Sequence, residues 1–454
     1  MVPTVAARTH DDEVTAPTAD PSRPLPRRMA PGAIPSPTEP PDMEETHVVT
    51  AFLRNGTHVL LFRRSDAVGS YRGLWGAVSG HAEGDPDAQV RAEIREETGL
   101  DPERDVTLVR AGEPFSVEDA DRGTRWVVHP SLFDCATRTV TPNEETAAYE
   151  WAPPPAIRER ETVPSLWESY DRVRPTVDAV RADETHGSAY VSVRACEVLR
   201  DEAAGGADYA SLLETARALL AARESMAAVR NRVNRVIHEA PEESAAAVRE
   251  SADATIDAAL DADATAAAAA ARELRGVSLL TLSRSGTVFD AVRRTDPDRV
   301  VVAESRTARE GVDVAERLAA TGLDVTLTTD AAVASLVGEV DAVLVGADTV
   351  LRDGSVVNKV GTLGAALAAS ATDVPVYAVC SADKVAPDVD PADPILEEAP
   401  PADLYDGDAD LTVANPRFDV TPASLVEGVI TEDGVLDAAD VEAAAADRRA
   451  LAEW

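Results

Sequence analysis

Lysine is almost missing from this sequence, and so are several features that mark particular classes of protein. Lys359 and Lys384 are the only lysines, so 41 of the 43 basic residues are arginines. The three cysteines, Cys135, Cys196 and Cys380, have neither disulfide-framework nor metal-motif spacing, which is typical of a reducing compartment. No run of about 18 uncharged apolar residues and no signal-peptide pattern occurs. We therefore expect a cytoplasmic protein without a membrane span.

Positive charge is scarce as a whole. The chain carries 81 acidic against 43 basic side chains, a formal net charge of -38. This balance disfavours direct nucleic-acid binding, which needs a basic surface to displace counterions. The acidic residues are spread along the chain, a composition that resembles proteins of salt-loving archaea. In molar salt the Debye length is only about 3 Å, so the self-repulsion of such a surface is largely screened.

The length of 454 residues predicts two or three domains, and a hydrophobic fraction of 44% predicts that they are folded. Residues 1–42 hold ten of the 30 prolines and are predicted to be disordered, which makes Met43 a candidate start. Changes in composition and periodicity predict the following segments: a first domain at 46–152, a Pro-rich linker at 153–164, a helical subdomain at 165–275, a domain of alternating strands and helices at 276–442 and a tail at 443–454.

The predicted fold class is α/β, with an all-α subdomain between the two domains that contain sheets. Strand-like runs and one helix, from about Pro86 to Thr98, fill the first domain. Residues 241–273 are rich in Ala, Asp and Glu, which predicts a helix surrounded by solvent. From Val277 onward, short apolar runs alternate with helical stretches, the pattern of a parallel sheet covered on both faces.

Three glutamates in that first helix carry the sharpest chemical signal. Glu93, Glu96 and Glu97 are spaced i, i+3, i+4 and therefore share one helix face. Unpaired carboxylates would repel one another there, and a hard divalent cation such as Mg²⁺ resolves the conflict. Taken alone, the spacing favours an ordinary solvated acidic helix, which is common in a chain of this composition. The Gly-rich loop before the helix and Gly99 after it favour the metal-binding interpretation.

This loop and helix resemble the Nudix box of pyrophosphohydrolases, whose closing pattern reads here as Ala92 to Leu100. The resemblance implies an α/β/α sandwich that uses Mg²⁺ or Mn²⁺ to cleave a nucleotide or nucleotide-sugar pyrophosphate. It also implies that Glu93, Glu96 and Glu97 are catalytic metal ligands, one of them also a candidate base. The sequence departs from the pattern in two ways. Ala92 replaces an arginine that braces the glutamates, with Arg91 and Arg95 as candidate substitutes. The preceding loop is two residues shorter, with Glu83 nearest to the first glutamate of the box.

A second polar cluster follows strands of the predicted parallel sheet. Asp348 lies in a small-residue turn after one strand, where open parallel sheets bind ligands. Ten residues later, Asn358 and Lys359 lead through Gly361 into an Ala-rich helix, whose N-terminus is a candidate phosphate seat. Lys359 is notable because arginine replaces lysine nearly everywhere else, and a compact ammonium suits a phosphate. A chance surface lysine is the simpler alternative.

These residues resemble the family that unites regulatory subunits of translation initiation factor 2B with ribose-1,5-bisphosphate isomerase and methylthioribose-1-phosphate isomerase. The matching pieces are Gly346 to Asp348, Gly354 to Thr362, Glu304 to Arg306 with Gly311, Thr329 with Asp330, and Asn415 to Pro422. The resemblance spans about residues 165–440. It implies a helical part, a Rossmann-like part, a homo-oligomer, and a pocket for a sugar phosphate or nucleotide. Its ligand contacts would be Arg306, Asp348, Asn358 and Lys359.

One departure bears on activity. Ser283 stands where the isomerases have their catalytic cysteine, and a hydroxyl is far too weak an acid to replace a thiol in proton transfer. Cys380 ends another strand of the same sheet and is a candidate substitute. The sequence thus favours a Nudix hydrolase fused to a phosphate-binding domain. The alternatives are a non-catalytic regulator resembling initiation-factor subunits and a sugar-phosphate isomerase that uses unfamiliar residues.

Overall fold

A computed structural model describes residues 44–394 and 396–454. The predicted disorder of residues 1–42 and the candidate start at Met43 lie outside the described residues. The strands are β1 Glu44–Asn55, β2 His58–Arg64, β3 Trp75–Gly76, β4 Val78–His81, β5 Val106–Ala111, β6 Phe115–Asp119, β7 Thr124–Cys135, β8 Thr146–Ala152, β9 Leu279–Leu282, β10 Val300–Ala303, β11 Val325–Thr328, β12 Ala342–Val345, β13 Thr349–Leu351, β14 Val356–Lys359, β15 Val376–Val379, β16 Val385–Ala386, β17 Phe418–Thr421, β18 Gly428–Thr431 and β19 Gly434–Leu436.

The α-helices are α1 Pro86–Thr98, α2 Leu166–Asp171, α3 Val177–Ala182, α4 Ser188–Gly205, α5 Tyr209–Ala222, α6 Ala227–His238, α7 Ala245–Glu273, α8 Gly286–Thr295, α9 Glu310–Ala319, α10 Val333–Leu336, α11 Thr362–Ser370 and α12 Ala438–Ala450. Short 3-10 helices lie at Pro154–Glu159, Asp330–Ala332, Val337–Glu339, Ala382–Lys384, Pro401–Asp403 and Ala423–Leu425. In the part of the chain that the structure describes, no helix is both long and apolar enough to span a bilayer.

The N-terminal domain is a mixed sheet between two layers. Its strand order is β3-β2-β1-β7-β5, with β4 on β1, β6 on β7 and β8 on β2. The long strands β1 and β7 run parallel, while the other pairs are antiparallel. Ile94 of α1 is fully buried against one face, and Tyr170 of α2 packs on Phe52 at the other. The predicted α/β/α sandwich is confirmed, and α2 supplies part of its second layer.

Helix α7 corrects the expectation of a helix surrounded by solvent at 241–273. It packs against α4, α8 and β18, and nine of its thirteen buried residues are alanines. An alanine-rich helix lacks the stripe of large apolar side chains that indicates burial in a sequence. The small side chain of alanine nevertheless lets neighbouring helices approach closely. The Ala-rich segment is therefore a central helix of the molecule. At 1.5 Å per residue, its 29 residues span about 44 Å.

The C-terminal part contains the doubly wound sheet that the sequence predicts. Its strand order is β11-β10-β9-β12-β15-β18-β19, parallel as far as β18. In chain order the first six strands read 3-2-1-4-5-6, so the topology reverses between β9 and β12. Ligands bind outside the carboxyl ends of strands at such a switch point. A smaller sheet, β16-β13-β14-β17, extends from this edge.

The two halves of the chain meet at the hairpin between β1 and β2. Arg54 donates to Asp134 (2.7 Å) within the sheet and to the hydroxyl of Tyr190 (3.0 Å) on α4. From the same helix, Arg194 donates to the carbonyl of Gly56 at the hairpin turn (2.7 Å). These charge-assisted bonds fix the sandwich on the helical subdomain.

The segments predicted as linker and tail are ordered parts of this packing. Pro154–Glu159 form a 3-10 helix in which Ile157 is buried. The presumed tail at 443–454 starts inside α12 and ends at Trp454. The indole of Trp454 donates to Asn234 of α6 (3.1 Å), and the guanidinium of Arg217 lies over its ring.

Candidate functional site

A cleft of about 480 Å³ lies beside the glutamate helix. Its carboxylate-bearing wall contains Glu83, Glu93, Glu96 and Glu145. Other lining residues come from β1, β2, β4, β6 and β7, and two come from α2: Leu166 and Ser169. A domain that stopped at residue 152 would therefore lack part of the cleft wall.

Helix α1 is positioned by strong local signals. Asp85 caps its N-terminus through the amide of Asp87, Pro86 occupies the first turn, and Gly99 ends it with a positive φ of 73°. Glu93 extends from this helix onto Gly80 of β4. A β-carbon at Gly80 would overlap the Glu93 carboxylate, so glycine lets the Glu93 side chain lie in this position against β4. Gln89 donates to the same carboxylate (2.7 Å).

Burial raises the pKa of Glu93, opposed by the Gln89 hydrogen bond and reinforced by the charges of Glu96 and Glu145. Glu97 is more deeply placed, with 8% of its surface exposed, and accepts a hydrogen bond from the amide of Ser79 (3.3 Å). Burial raises the pKa of Glu97 to about 8, and the charge of Glu93 adds to the shift. Glu96 is exposed in the same cleft.

The arginine that supports this cluster is Arg64 of β2, which the sequence did not indicate. Arg91 instead donates to the carbonyl of Pro102 (3.0 Å), beyond the end of the helix. Arg95 is exposed, and within the described ranges its side chain makes no hydrogen bond or ion pair. Arg64 lines the cleft, donates to the hydroxyl of Ser79 (3.3 Å), and its charge lowers the pKa of Glu97.

The donor set fits a hard divalent cation in its chemistry. Glu93 and Glu97 hold their carboxylates in a partly desolvated cleft beside Arg64, and such groups gain from a cation that prefers oxygen ligands. Among residues 44–394 and 396–454, however, no three His, Cys, Asp or Glu side chains are already gathered in a metal-holding arrangement. The glutamates would have to close around an ion.

Because the pKa of Glu97 is raised, we expect its contribution to stability to depend on pH in a defined direction. Preferential protonation of Glu97 in the folded state stabilises the fold fully below pH 4.5, the ordinary pKa of a glutamate. This stabilisation is lost as pH rises through about 8, the pKa of Glu97 in the fold. A divalent cation offsets that loss, so Mg²⁺ should raise the melting temperature more at pH 8.5 than at pH 6. Thermal melts at both pH values, with Glu97→Gln as the control, test this. An Mg²⁺ effect that is equal at both pH values in both proteins would contradict it.

The second site lies at the switch point of the parallel sheet. Asp348 follows β12 and is partly buried beside the first residue of α4, whose Ser188 hydroxyl is 3.4 Å from the Asp348 carboxylate. Burial raises the pKa of Asp348, against the charges of Lys384 and Lys359. The charges of both lysines of the chain therefore act on one carboxylate. Lys384 also donates to the carbonyl of Ala347 (2.5 Å).

Lys359 forms an ion pair with Glu310 at the start of α9 (3.2 Å). The same carboxylate accepts a hydrogen bond from the hydroxyl of Ser283 (2.9 Å). Ser283 follows β9 with a positive φ of 63°, and its amide donates to the hydroxyl of Ser305 (2.6 Å). Ser283, Glu310 and Lys359 thus form one connected polar group, in which Glu310 is a member that the sequence did not indicate.

Asn358 and the N-terminus of α11 are already satisfied from within the chain. Asn358 is buried and donates to the hydroxyl of Thr362 (2.9 Å). The carboxylate of Asp419 accepts from the amides of Gly361 (2.7 Å) and Leu363 (3.2 Å). A carboxylate therefore occupies the anion position at this helix N-terminus, where we expected a phosphate. Asp419 is far away in sequence, so spacing did not reveal it.

Arg306 and Cys380 lie apart from these contacts. Arg306 is exposed, and its amide donates to Asp330 (2.7 Å), but within the described ranges no hydrogen bond or ion pair joins its side chain to Asp348, Asn358 or Lys359. Cys380 is fully buried, and burial raises the pKa of its thiol to about 12. It therefore supplies no thiolate in place of the missing family cysteine.

The comparisons with known proteins agree with this division. Residues 184–438 match the model of the initiation factor 2 subunit family, more than half of the chain. The chain belongs to the initiation factor 2 subunit family. Residues 45–173 match the NUDIX domain, so that domain extends past the expected boundary at 152 and includes α2.

Relatives of the initiation factor 2 subunit region include enzymes. A ribose 1,5-bisphosphate isomerase of Haloferax volcanii is 33% identical over 286 residues, which is 58% of this chain and 88% of that protein. A methylthioribose-1-phosphate isomerase of Gemmatimonas aurantiaca is 38% identical over 138 residues, 30% of this chain and 40% of that protein. The crystal structure of the Pyrococcus horikoshii translation initiation factor eIF-2B is 24% identical, with a TM-score of 0.51, and covers 57% of this chain and 94% of that one. This last likeness supports the fold alone.

Proposed function

We propose that the Nudix domain is a metal-dependent hydrolase that cleaves a phosphoanhydride bond in a nucleoside-diphosphate-type substrate. The observation that carries this proposal is the placement of Glu93 and Glu96 in the cleft, with Glu97 buried directly behind them on the same helix. Ionised carboxylates in a partly desolvated cleft are unfavourable unless they are paired or bind a cation, and such groups are typical of functional sites. The match of residues 45–173 to the NUDIX domain supports this reading.

The three glutamates have different surroundings, which suggests different roles. Glu93 and Glu97 are fixed by hydrogen bonds from Gln89 and Ser79, so they would hold Mg²⁺ or Mn²⁺. When bound, the cation would neutralise charge on the pyrophosphate. Glu96 is exposed and takes no hydrogen bond within the described ranges, so its carboxylate is free to accept a proton from the attacking water. Arg64 would orient a phosphate oxygen by donating to it.

The test is the formation of phosphomonoesters from nucleotide sugars and dinucleotides, and of phosphate or pyrophosphate from nucleoside triphosphates, with Mg²⁺ or Mn²⁺, at low and at molar potassium chloride. The proposal expects turnover of at least one class that EDTA abolishes. Glu96→Gln should reduce that turnover by about 10²–10⁴-fold, while Asp87→Asn, an exposed position of the same helix, should leave it unchanged. Absence of turnover across the whole panel would refute the hydrolase.

For the C-terminal domain, we propose that it binds a phosphorylated sugar or nucleotide at Asp348 without isomerising it. The named isomerases among its relatives support a sugar-phosphate ligand. Ser283 opposes isomerisation, because its hydroxyl cannot exchange protons with a carbon acid at neutral pH as a thiol can. Lys359 and Lys384 supply the local positive charge, and a phosphate would compete with Glu310 for Lys359.

Ribose 1,5-bisphosphate is the probe for this second site. We expect calorimetric binding that Lys359→Met weakens by about tenfold, the loss of one charge-assisted contact. Neither the wild type nor Asp348→Asn should form the ketose. Ketose formation that Asp348→Asn abolishes would favour the sugar-phosphate isomerase instead.

A non-catalytic regulator is the second candidate for the whole chain. It is favoured by the substitution of Ala92 in the Nudix pattern and of Ser283 in the isomerase pattern. In that case the cleft would bind a nucleotide without hydrolysing it, and the family region would mediate homo-oligomeric assembly. If the hydrolase is active, its product could be the ligand that the second domain senses. If each domain responds to its ligand in the same way alone and in the full-length protein, this link between the two domains is wrong.

A further inference from the structure

A groove of about 470 Å³ lies at the amino edge of the parallel sheet. Its walls are the end of helix α7, shortly before β9 begins, and the end of helix α8, shortly before β10 begins. Asp348 instead follows the carboxyl end of β12, which runs parallel to β9. The groove and the proposed sugar-phosphate site therefore lie at opposite edges of one sheet, and neither of the proposed functions uses the groove.

One wall of the groove comes from α7 and the turn after it. It is lined at the spacing i, i+3, i+4, i+7 by Ala268, Ala271, Arg272 and Arg275. This spacing places side chains on one face of a helix. The helix ends at Glu273, and the turn that follows carries Arg275 to the same wall. The wall thus combines a small apolar surface of two alanines with two guanidinium groups.

The second wall comes from the end of α8. Arg294 lies in the last turn of this helix, and Asp296 follows it with a positive φ of 51°. The amide of Gly276 donates to the carbonyl of Thr295 (3.2 Å), which joins the chain segments at the two helix ends. The backbone therefore holds Arg294 beside the wall that carries the other two arginines.

The three arginines of this groove are unpaired in the part of the chain that the structure describes. Arg272, Arg275 and Arg294 are exposed, and their side chains make no hydrogen bond or ion pair with any described residue. Asp296 is the one carboxylate among the lining residues. Carboxylate partners are plentiful in a chain with 81 acidic and 43 basic residues. The helix macrodipole favours a cation in each last turn, but it accounts neither for Arg275, beyond the end of α7, nor for three unpaired guanidinium groups together.

This arrangement selects a ligand with several anionic oxygens. Guanidinium groups donate in pairs to phosphate oxygens, and a phosphoryl group offers three oxygens that can accept from several arginines at once. Two adjacent phosphoryl groups carry about three negative charges, which matches three guanidinium groups. The volume of about 470 Å³ lies within the range of sites for small organic ligands, about 300–1,000 Å³. A nucleic acid would need a longer basic surface, which the net charge of -38 opposes.

We propose that the arginine groove, formed by Arg272, Arg275 and Arg294, binds a small organic diphosphate whose phosphoryl oxygens accept from each arginine, without a divalent cation. The groove adds a third phosphate-binding position to the chain, at the sheet edge opposite Asp348. It depends neither on hydrolysis in the Nudix cleft nor on a sugar phosphate at Asp348, so either of those proposals can fail while this one stands.

The test is calorimetric titration of the full-length protein with inorganic pyrophosphate in EDTA, at the lowest potassium chloride concentration at which circular dichroism shows the protein folded. EDTA removes any cation that would hold phosphate on the glutamates of the Nudix cleft. We expect Arg275→Met and Arg294→Met each to weaken binding by about tenfold, the loss of one charge-assisted contact. Two control variants should leave this binding unchanged: Arg104→Met, at an exposed arginine of the Nudix domain, and Lys359→Met, at the Asp348 site.

Several results would overturn the assignment of the arginine groove. Wild-type protein that binds no pyrophosphate is one of them. Equal weakening by Arg104→Met is another, because the variants would then report net charge and not contact. Binding that only Lys359→Met reduces would place pyrophosphate at Asp348 instead. Citrate, a polycarboxylate, tests the chemical class. If citrate binds as tightly as pyrophosphate and depends equally on Arg275 and Arg294, the groove takes any polyanion, and the assignment to a diphosphate is wrong.

Discussion

Glu97→Gln is expected to lower kcat for phosphoanhydride cleavage by at least about 100-fold, the lower end of what one catalytic carboxylate contributes. The substitution keeps the size of the side chain and its hydrogen bond from Ser79 but removes the negative charge that would hold a cation. Steady-state kinetics with the best substrate of the panel measures the loss. Asp87→Asn, on the exposed side of the same helix, is the matched control.

The same variant should be more stable than wild type in the absence of divalent cations at pH 8.5. A carboxylate whose pKa is raised to about 8 by burial is destabilising when ionised, and a neutral amide removes that cost. Lower activity together with higher metal-free stability is the signature of a group kept for function rather than for folding. A variant with wild-type turnover, or one that loses stability, would contradict the role assigned to Glu97.

Asp383→Asn is expected to destabilise the protein by about 3–5 kcal/mol, the usual loss when one partner of a buried ion pair is removed. Asp383 is buried and accepts from Arg232 (3.0 Å) and from Arg235 (2.7 Å), both on α6. Burial alone would raise its pKa, but the hydrogen bonds and charges of Arg235 and Arg232 outweigh it and lower the pKa to about 2. The substitution leaves the buried Arg232 guanidinium without its carboxylate.

Asp388→Asn is the control for this prediction, because Asp388 pairs with Arg449 at the surface (3.2 Å) with both side chains about half exposed. Such pairs contribute roughly 0–1 kcal/mol. Urea unfolding of both variants measures the difference. Equal midpoints for the two variants would show that the Asp383 cluster does not hold the helical subdomain on the parallel sheet.

Because Lys384 follows Asp383 directly, we also expect weaker ligand binding at Asp348.

Both domains could be predicted from the sequence, because each contains short motifs whose residues lie next to one another in the chain. The box from Ala92 to Leu100 and the turn from Gly346 to Asp348 lie within single loops or helices. The order of strands and helices then predicted where Asp348 lies at the sheet edge. These features follow from spacing, which a sequence displays directly.

What the sequence could not predict depends on contacts between distant residues. Asp419 caps α11 from 58 positions away, and so takes the anion position that the loop before the helix suggested for a phosphate. Arg64 of β2 acts on Glu97 through its charge and donates to the adjacent Ser79, a supporting role that the sequence suggested for Arg91 or Arg95. Trp126 lies in an alternating strand, and only the fold shows that its face lines the cleft. The burial of α7 was missed because alanine gives little hydrophobic contrast.

The most direct test of the central claim is a phosphorus-31 NMR time course of a nucleoside-diphosphate sugar with the full-length protein and Mg²⁺. The account predicts that the two coupled diphosphate resonances disappear while two phosphomonoester resonances grow. EDTA or Glu97→Gln should stop the change. A spectrum that stays unchanged with nucleotide sugars, dinucleotides and nucleoside triphosphates alike, in Mg²⁺ or Mn²⁺, would contradict a hydrolytic function of the cleft.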